Sequence, residues 1–321
     1  MSIRVDESAK IYGKLEHGEN VYIAQGTIIR SEDNSISIGN NSFILENSVV
    51  IGTRNHKVRI GSKIVFGHKC VVIGSEIGDL CEIGNGCIFL EGSKIGNNCI
   101  FGEGTIIPKG SVIPDNSVVI GRPYRIIRNL TEEDKEMVKR MRGGDISLSV
   151  VSYKTYNGLD WRDKTMGKLN ALGGKYPEVG ENSIIVEGAE VNGDVKIGYN
   201  SMIFSGVKII GNSHGPVVIG DNVRILENTV LHLLPDNQLI LEDNVVIGPG
   251  CIIHGCTIGE GSIIESGSII CDYSKIGSNS LVKSGTLVKQ RSEFEDNKVL
   301  EGFPAKIVGE ITYKLDRPKW A

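Results

Sequence analysis

Residues 60–119 read IGSKIVFGHKCVVIGSEIGDLCEIGNGCIFLEGSKIGNNCIFGEGTIIPKGSVIPDNSVV. Ile60, Phe66, Val72, Ile77, Ile83, Phe89, Ile95, Phe101, Ile107, Ile113 and Val119 recur through this stretch at a period of six, with one step of five between Val72 and Ile77. An amphipathic helix shows a 3.6-residue stripe and a half-buried strand a period of two. A period of six, with Gly or Asn near each apolar residue, fits neither. It predicts a short strand, a tight turn and another short strand, each strand sending one aliphatic side chain inward. Such coils bury an apolar column only by stacking, so no single repeat is stable alone.

The pattern extends in both directions. Ile38, Ile44 and Val50 continue it upstream, before a longer excursion to Ile60; Ile219, Ile225 and Leu231 begin it again, before a second excursion to Leu241. Ile247, Ile253, Ile258, Ile264, Ile270, Ile276, Val282, Val288, Phe294 and Leu300 then complete the second half. From Ile38 to Pro123, adding 181 to a residue number lands on its counterpart without a gap, so that Ile44 meets Ile225, Cys70 meets Cys251 and Pro123 meets Pro304. Before Arg30 the offset is 180, which places one inserted residue between positions 210 and 220. The chain is a tandem duplication.

Composition agrees with turn-rich β structure: 41 Gly and 6% aromatics in 321 residues, with 40% hydrophobic residues for a core. The formal charge, 35 − 39 = −4, comes without a basic block. That argues against nucleic acid, whose phosphates call for clustered Lys and Arg. No apolar run approaches the ~20 residues of a membrane span, and MSIRVDESAK lacks a signal-peptide core. The expected setting is therefore cytoplasmic, with neither nucleic acid nor membrane as a partner.

The hexads resemble those of the hexapeptide-repeat proteins, whose fold is a left-handed parallel β-helix. Each half, moreover, resembles the γ-class carbonic anhydrases. The resemblance is carried by TIIRSEDNSISIG, FILENSVV and IVFGHKCVVIGSEIG in the first half, by VRILENTVLHL and VVIGPGCIIHGCTIG in the second, and by the tails GRPYRIIRNLTEEDKEMVKRMR and GFPAKIV. The expected architecture is all-β: two tandem β-helix domains at 1–130 and 179–309, a helix and linker at 131–178, and a tail at 310–321. Thr131-Glu132-Glu133-Asp134 has capping-box spacing, with acids where the helix dipole favours them. A helix is expected over 131–142 along the outside of the first prism, with Met137, Val138 and Met141 as its apolar stripe and Gly143-Gly144 as its stop. Residues 145–178, which include Trp161, carry no hexad and read as a linker.

Seven cysteines, without a CxxC pair, indicate packing rather than redox chemistry. Cys70, Cys81, Cys87, Cys99, Cys251 and Cys256 each lie two residues before an inward apolar residue, in a slot for small side chains on the same strand face. Cys271 is off the pattern. All are expected to be reduced thiols.

The histidines carry the chemical signal. The resembled family binds a metal, usually zinc, with three imidazoles between neighbouring prisms of a trimer, two from one prism and the third from the next. Matched motif by motif, its first ligand falls on His232 in VLH and on Ile51 in the first half. The second falls on His68 in FGHK and on Pro249 in the second half; the third falls on His254 in IIHG and on Ile73. Neither half holds a three-imidazole set, but a first-half prism beside a second-half prism does. His232 and His254 each follow an inward residue, so alternation places both outside the column. Three prisms about one axis cannot alternate strictly between two kinds, which leaves the pairing of modules open.

Other family positions diverge. Arg30 and Glu32 match the family's Arg and its acidic partner and are expected as an interface ion pair, whereas the second half has Ile210 and Asn212. The family's water-orienting Gln is Leu45 and Leu226 here, beside Glu46 and Glu227, which match an acidic position of the site. His17 matches the inward Ile197 and is expected in the core. His56 and His214 lie in loops, and His56, in the excursion after Val50, can reach a neighbour and serve as a base.

Three readings stay open. One is a zinc enzyme with His68, His232 and His254 as ligands, hydrating CO2 or a similar small electrophile. Another is an acetyl-CoA-dependent acyltransferase acting on a sugar or amine, with a histidine as general base. The last is a non-catalytic assembly or binding protein. Each implies a homo-oligomer, with three chains supplying six prisms as the first expectation, and either enzyme implies a small-molecule substrate.

Overall fold

The computed structural model describes residues 3–142, 166–211 and 215–321. The chain divides into two compact units, residues 1–161 with Trp320 and residues 162–319 with Ala321. Each is a left-handed parallel β-helix whose coils stack along three faces.

In the first unit, one face runs upward from Arg4–Val5 through Tyr22–Ile23, Phe43–Ile44, Val65–Phe66, Glu82–Ile83 and Ile100–Phe101 to Ser117–Ile120. A second begins at Lys10–Tyr12 and ends at Ile106–Ile107, and a third runs from Leu15–His17 to Val112–Ile113. Register is in phase with the hexads: Ile60 pairs with Ile77, Ile77 with Ile95 and Ile95 with Ile113. Neighbouring strands in such ladders lie ~4.8 Å apart, so inward side chains one coil apart are in van der Waals contact. Ile44, Val72, Phe89, Ile107 and Val119 are buried to within 1%. Phe66, Phe89 and Phe101 stack edge to face, with centroids 6.4 and 5.1 Å apart.

The second unit repeats the plan with an aliphatic column in which Ile247, Ile253, Ile264, Ile270, Ile276, Val282 and Val288 are fully buried. One ten-residue strand, Ile184–Gly193, rounds a corner and joins two of its faces into a single sheet. Both units close with an antiparallel strand, Arg125–Asn129 on Ser117–Ile120 and Ala305–Glu310 on Lys298–Gly302. The duplication extends to backbone detail. Gly121 and Gly302, with φ of 109° and 119°, occupy a region that only glycine tolerates, and each precedes a cis-proline, Pro123 or Pro304.

The small slots work as the spacing predicts. Ser42 Oγ donates to Gly61 O at 2.9 Å and Thr229 Oγ1 to Gly248 O at 2.9 Å, and thiols make the same upward contact, as in Cys81 Sγ to Gly96 O at 3.3 Å. Six thiols are buried and all seven cysteines are free. Burial pushes Cys87 up to about 11 and Cys251 up to about 12, and pushes Cys70 and Cys256 further still.

The helix spans Glu132–Arg142. Thr131 Oγ1 accepts from Asp134 N at 3.2 Å, while Asp134 Oδ2 accepts from Thr131 N at 2.8 Å and pairs with Arg128. This is a reciprocal cap with Asp in the usual Glu place. Val138 packs with Val118 and Leu130, against Leu80 and Ile100, on the outer face of the first prism. Met137, expected in that stripe, is 36% exposed, because the contact is only one residue wide. Gly143-Gly144, Trp161 and the linker as far as 165 lie outside the described residues, as does His214. Residues 166–178, also expected as linker, instead build the first coil of the second unit. Met166–Asn170 pairs with the corner strand, and Glu178–Val179 with Lys196–Ile197. Among the described residues no helix is long and apolar enough to cross a membrane.

Truncation in the aromatic stack, Phe89→Ala, is expected to cost about 3–5 kcal/mol in denaturant unfolding, since the surrounding coils are held in register and cannot collapse into the void. In a thiol-reagent titration of the native protein, Cys271, half-buried and pushed up by burial and by Asp272, should react first and faster as pH rises; the other six should react only after unfolding.

Candidate metal centre

His232 and His254 end the adjacent parallel strands Val230–Leu231 and Ile252–Ile253. His232 N donates to Ile253 O at 3.0 Å and His254 N to Ile270 O at 2.8 Å, so the coil ladder places the two residues one above the other. Their rings meet edge to face, with centroids 5.9 Å apart and an interplanar angle of 82°. Both are half-buried at the corner, outside the column formed by Leu231 and Ile253.

Behind His254 lies Asp272, 7% exposed. Its Oδ2 is 3.1 Å from His254 Nδ1. Its Oδ1 accepts from Leu234 N at 3.3 Å, Asn237 Nδ2 at 3.2 Å and Gly255 N at 3.2 Å. Asp272 does not stand out in the linear sequence, because the contact is between stacked coils. The usable signal is that a residue one full turn beyond Gly255 must sit directly above it.

In the first unit, His68 occupies an exposed corner after Val65–Phe66. Its backbone N donates to Asn85 Oδ1 at 2.7 Å, which pins the turn to the coil above. Its Nδ1 lies 2.6 Å from Glu46 Oε2, so these two predicted site residues are brought together. Ile51 and Ile73, which stand where the second unit has imidazoles, are fully buried. Glu227, the counterpart of Glu46, is buried to 1%. His56 is half-buried, its loop closed by Thr53 N to His56 O at 2.9 Å and His56 N to Thr53 Oγ1 at 3.1 Å.

Two expectations meet a different environment. His17 does sit at an inward register, opposite Ile38, but it is exposed, with Nδ1 2.9 Å from Gly18 O. Its strand is the edge of its sheet, so no coil covers it, whereas its counterpart Ile197 has Glu178–Val179 on its other side. Arg30, expected at an interface with Glu32, is 3% exposed and donates from Nη2 to Trp320 O at 2.6 Å. Glu32 is half-buried.

Among the described residues no three His, Cys, Asp or Glu side chains gather into a group that could hold a metal ion. The chemistry of the donors nevertheless fits a divalent ion of zinc type. Two imidazoles converge, and in His254 and His68 a carboxylate lies against Nδ1, leaving Nε2 as the outward donor atom. Such a site needs a third protein donor from elsewhere.

The family model for bacterial transferase hexapeptide (six repeats) matches residues 74–109 and 240–272. A carbonic anhydrase of Geobacillus kaustophilus is 40% identical over 139 residues, 43% of this chain and 76% of that protein. The protein YrdA of Escherichia coli is 35% identical over 144 residues, 43% of this chain and 78% of that one. This chain belongs to the hexapeptide-repeat, γ-class carbonic anhydrase-like family. The mitochondrial gamma carbonic anhydrase 2 of Arabidopsis thaliana is 30% identical over 43% of this chain, which spans 51% of that protein's length. Among solved structures, a hexapeptide transferase family protein from Anaplasma phagocytophilum shares 29% identity, with a TM-score of 0.43, covering 45% of this chain and 85% of its own. The Geobacillus and Escherichia relatives each align over less than half of this chain and over most of their own length.

Replacing the buried guanidinium by Arg30→Met leaves the Trp320 carbonyl without this donor. A loss of about 1–3 kcal/mol in chemical denaturation is the expected outcome.

Proposed function

We propose that the protein is a γ-carbonic anhydrase-like, metal-dependent enzyme that hydrates CO2 or a similar small electrophile at a composite site. His232 and His254 come from a second module and His68 from the first module of another copy. The single observation that carries this reading is the stacked imidazole pair at one corner, 5.9 Å between centroids. The carbonic anhydrase relatives support the choice of reaction.

A divalent ion at this position supplies Lewis acidity and water that ionises near neutral pH. The chain's own residues do the rest. Glu46 and Asp272 orient His68 and His254 through Nδ1. Leu226, fully buried, stands where the family has its water-orienting Gln, so hydration is expected to be slower than in relatives that keep it.

The outer face beside the imidazole pair supports a homo-oligomer. Val230, Ile252, Ile269 and Leu287 form an outward aliphatic ladder along the same strands as His232 and His254. Its residues are partly open, Ile252 at 40% exposure, whereas their counterparts Val49, Val71, Ile88 and Ile106 are all buried to 7% or less. An open apolar ladder next to an incomplete ligand set suits a second copy bringing His68. A trimer remains the proposed assembly.

The transferase description of the family model favours a second reading, an acetyl-CoA-dependent acyltransferase acting on a sugar or amine, with His56, His68 or His254 as base. The two are separated by loading with zinc, dialysis and metal analysis, alongside thermal shift with acetyl-CoA. Retained zinc that is lost on His68→Ala and equally on His232→Ala, with CO2 hydration falling to background, is the expected result. Stabilisation by acetyl-CoA with no retained metal would establish the transferase, and neither response would mark an assembly or binding protein.

A further inference from the structure

We propose that Asp272 is a positioning residue for both imidazoles of the second module: it clamps the backbone that follows each of them and sets His254 as the Nδ1–H tautomer, with Nε2 turned outward to receive a divalent cation. The cation rests on the functional reading above; the clamp and the tautomer do not.

The geometry assigns the two carboxylate oxygens separate tasks. Oδ1 is committed to three donors, Leu234 N, Asn237 Nδ2 and Gly255 N. Leu234 lies two residues after His232, and Gly255 directly follows His254. One nearly buried group therefore fixes the chain where it leaves both imidazoles, across two coils and the excursion between them. Asn237 tightens the same knot: its Nδ2 also donates to Gly255 O at 2.7 Å, and its Oδ1 accepts from Gln238 N at 2.8 Å. A side chain at Gly255 would displace Asn237 from this knot, since an added Cβ would lie 2.2 Å from Asn237 Nδ2.

Oδ2 is left for His254. Nδ1 of that ring is shut off from solvent, and it has no hydrogen-bond partner in line among the described residues. Asp272 Oδ2 lies 3.1 Å from it, nearer than any other acceptor recorded for that nitrogen among the described residues, and in the proposed arrangement the N–H is donated to that oxygen. A carboxylate oxygen can only accept, so Nδ1 must carry the proton and Nε2 the lone pair. In a metal site that is the orientation needed for Nε2 ligation.

The sister module is an internal comparison. At the positions of His232, His254, Asn237 and Asp272 it has Ile51, Ile73, His56 and Glu91. Where the imidazoles are absent the acid has another partner: Glu91 Oε2 lies 3.1 Å from Lys109 Nζ. The excursion there closes on itself through Thr53 and His56 rather than on a carboxylate from the next coil. The clamp and the imidazoles occur together or not at all.

The test is Asp272→Asn on the full chain. The three N–H donors facing Oδ1 keep the amide oxygen in place, so Nδ2 takes the position of Oδ2 and donates to His254 Nδ1, which must then accept. Imidazole nitrogen chemical shifts in the metal-free protein should report Nδ1–H at His254 in the wild type and Nε2–H in the variant, with the six buried thiols still protected. Competition with a chromophoric chelator should show zinc affinity falling ~10–100-fold. An Nε2–H tautomer in the wild type overturns the proposal without recourse to any variant, as does a folded variant with unchanged tautomer and unchanged zinc affinity. If the tautomer switches while the wild type takes up no zinc, the clamp stands and the metal enzyme reading fails.

Discussion

Every feature of this protein depends on coil-on-coil register. A single coil exposes its apolar side chain on both sides, and burial is achieved only when the next coil adds its own aliphatic residue above, while a parallel ladder ties the backbones together. The column is therefore continuous, and a residue's height and face follow from its place in the hexad. The corners are equally constrained. Left-handed positions at Asn47, Asn98, Asn228 and Asn279 fall on a side chain that tolerates that conformation, and the slots beneath them accept Ser, Thr or Cys because all three donate to a carbonyl one coil higher.

This architecture separates folding from chemistry. Inward positions are held to aliphatic or aromatic residues, whereas a position just outside the column accepts imidazole in one module and a buried aliphatic side chain in the other. Imidazoles at 232 and 254 can thus be Ile at 51 and 73 without disturbing the backbone, and His68 can be matched by Pro249. The two modules share one scaffold and differ in what they present. The acids differ in the same way: Asp272 lies against His254, and Glu91, at the same height, lies against Lys109.

The periodic part of the structure was legible because its interactions are local in the hexad and repeat. Burial of Cys70 or Cys251 follows from an interval of two to the next inward residue, and the cap of the helix from the spacing of Thr131 and Asp134. End effects were not legible. His17 has an inward register with nothing beneath it, whereas Ile197 is covered by Glu178–Val179, a two-residue strand at the edge of the stretch that carries no hexad. The arrangement at Asp272 was missed for a related reason: its partners Leu234, Asn237 and Gly255 are remote in sequence and meet only through stacking.

The amino-acid pattern alone determined the duplication, the β-helix, the inward column and the outward placement of His232 and His254, because a six-residue period dictates which way each side chain points. Only the tertiary structure decided what each outward residue touches. That information resides in contacts remote in sequence, where Arg30 meets the carbonyl of Trp320 in the C-terminal tail, Glu46 meets His68 and one carboxylate reaches the chain behind two imidazoles. Side-chain direction is a property of the strand, but a partner is a property of the stack.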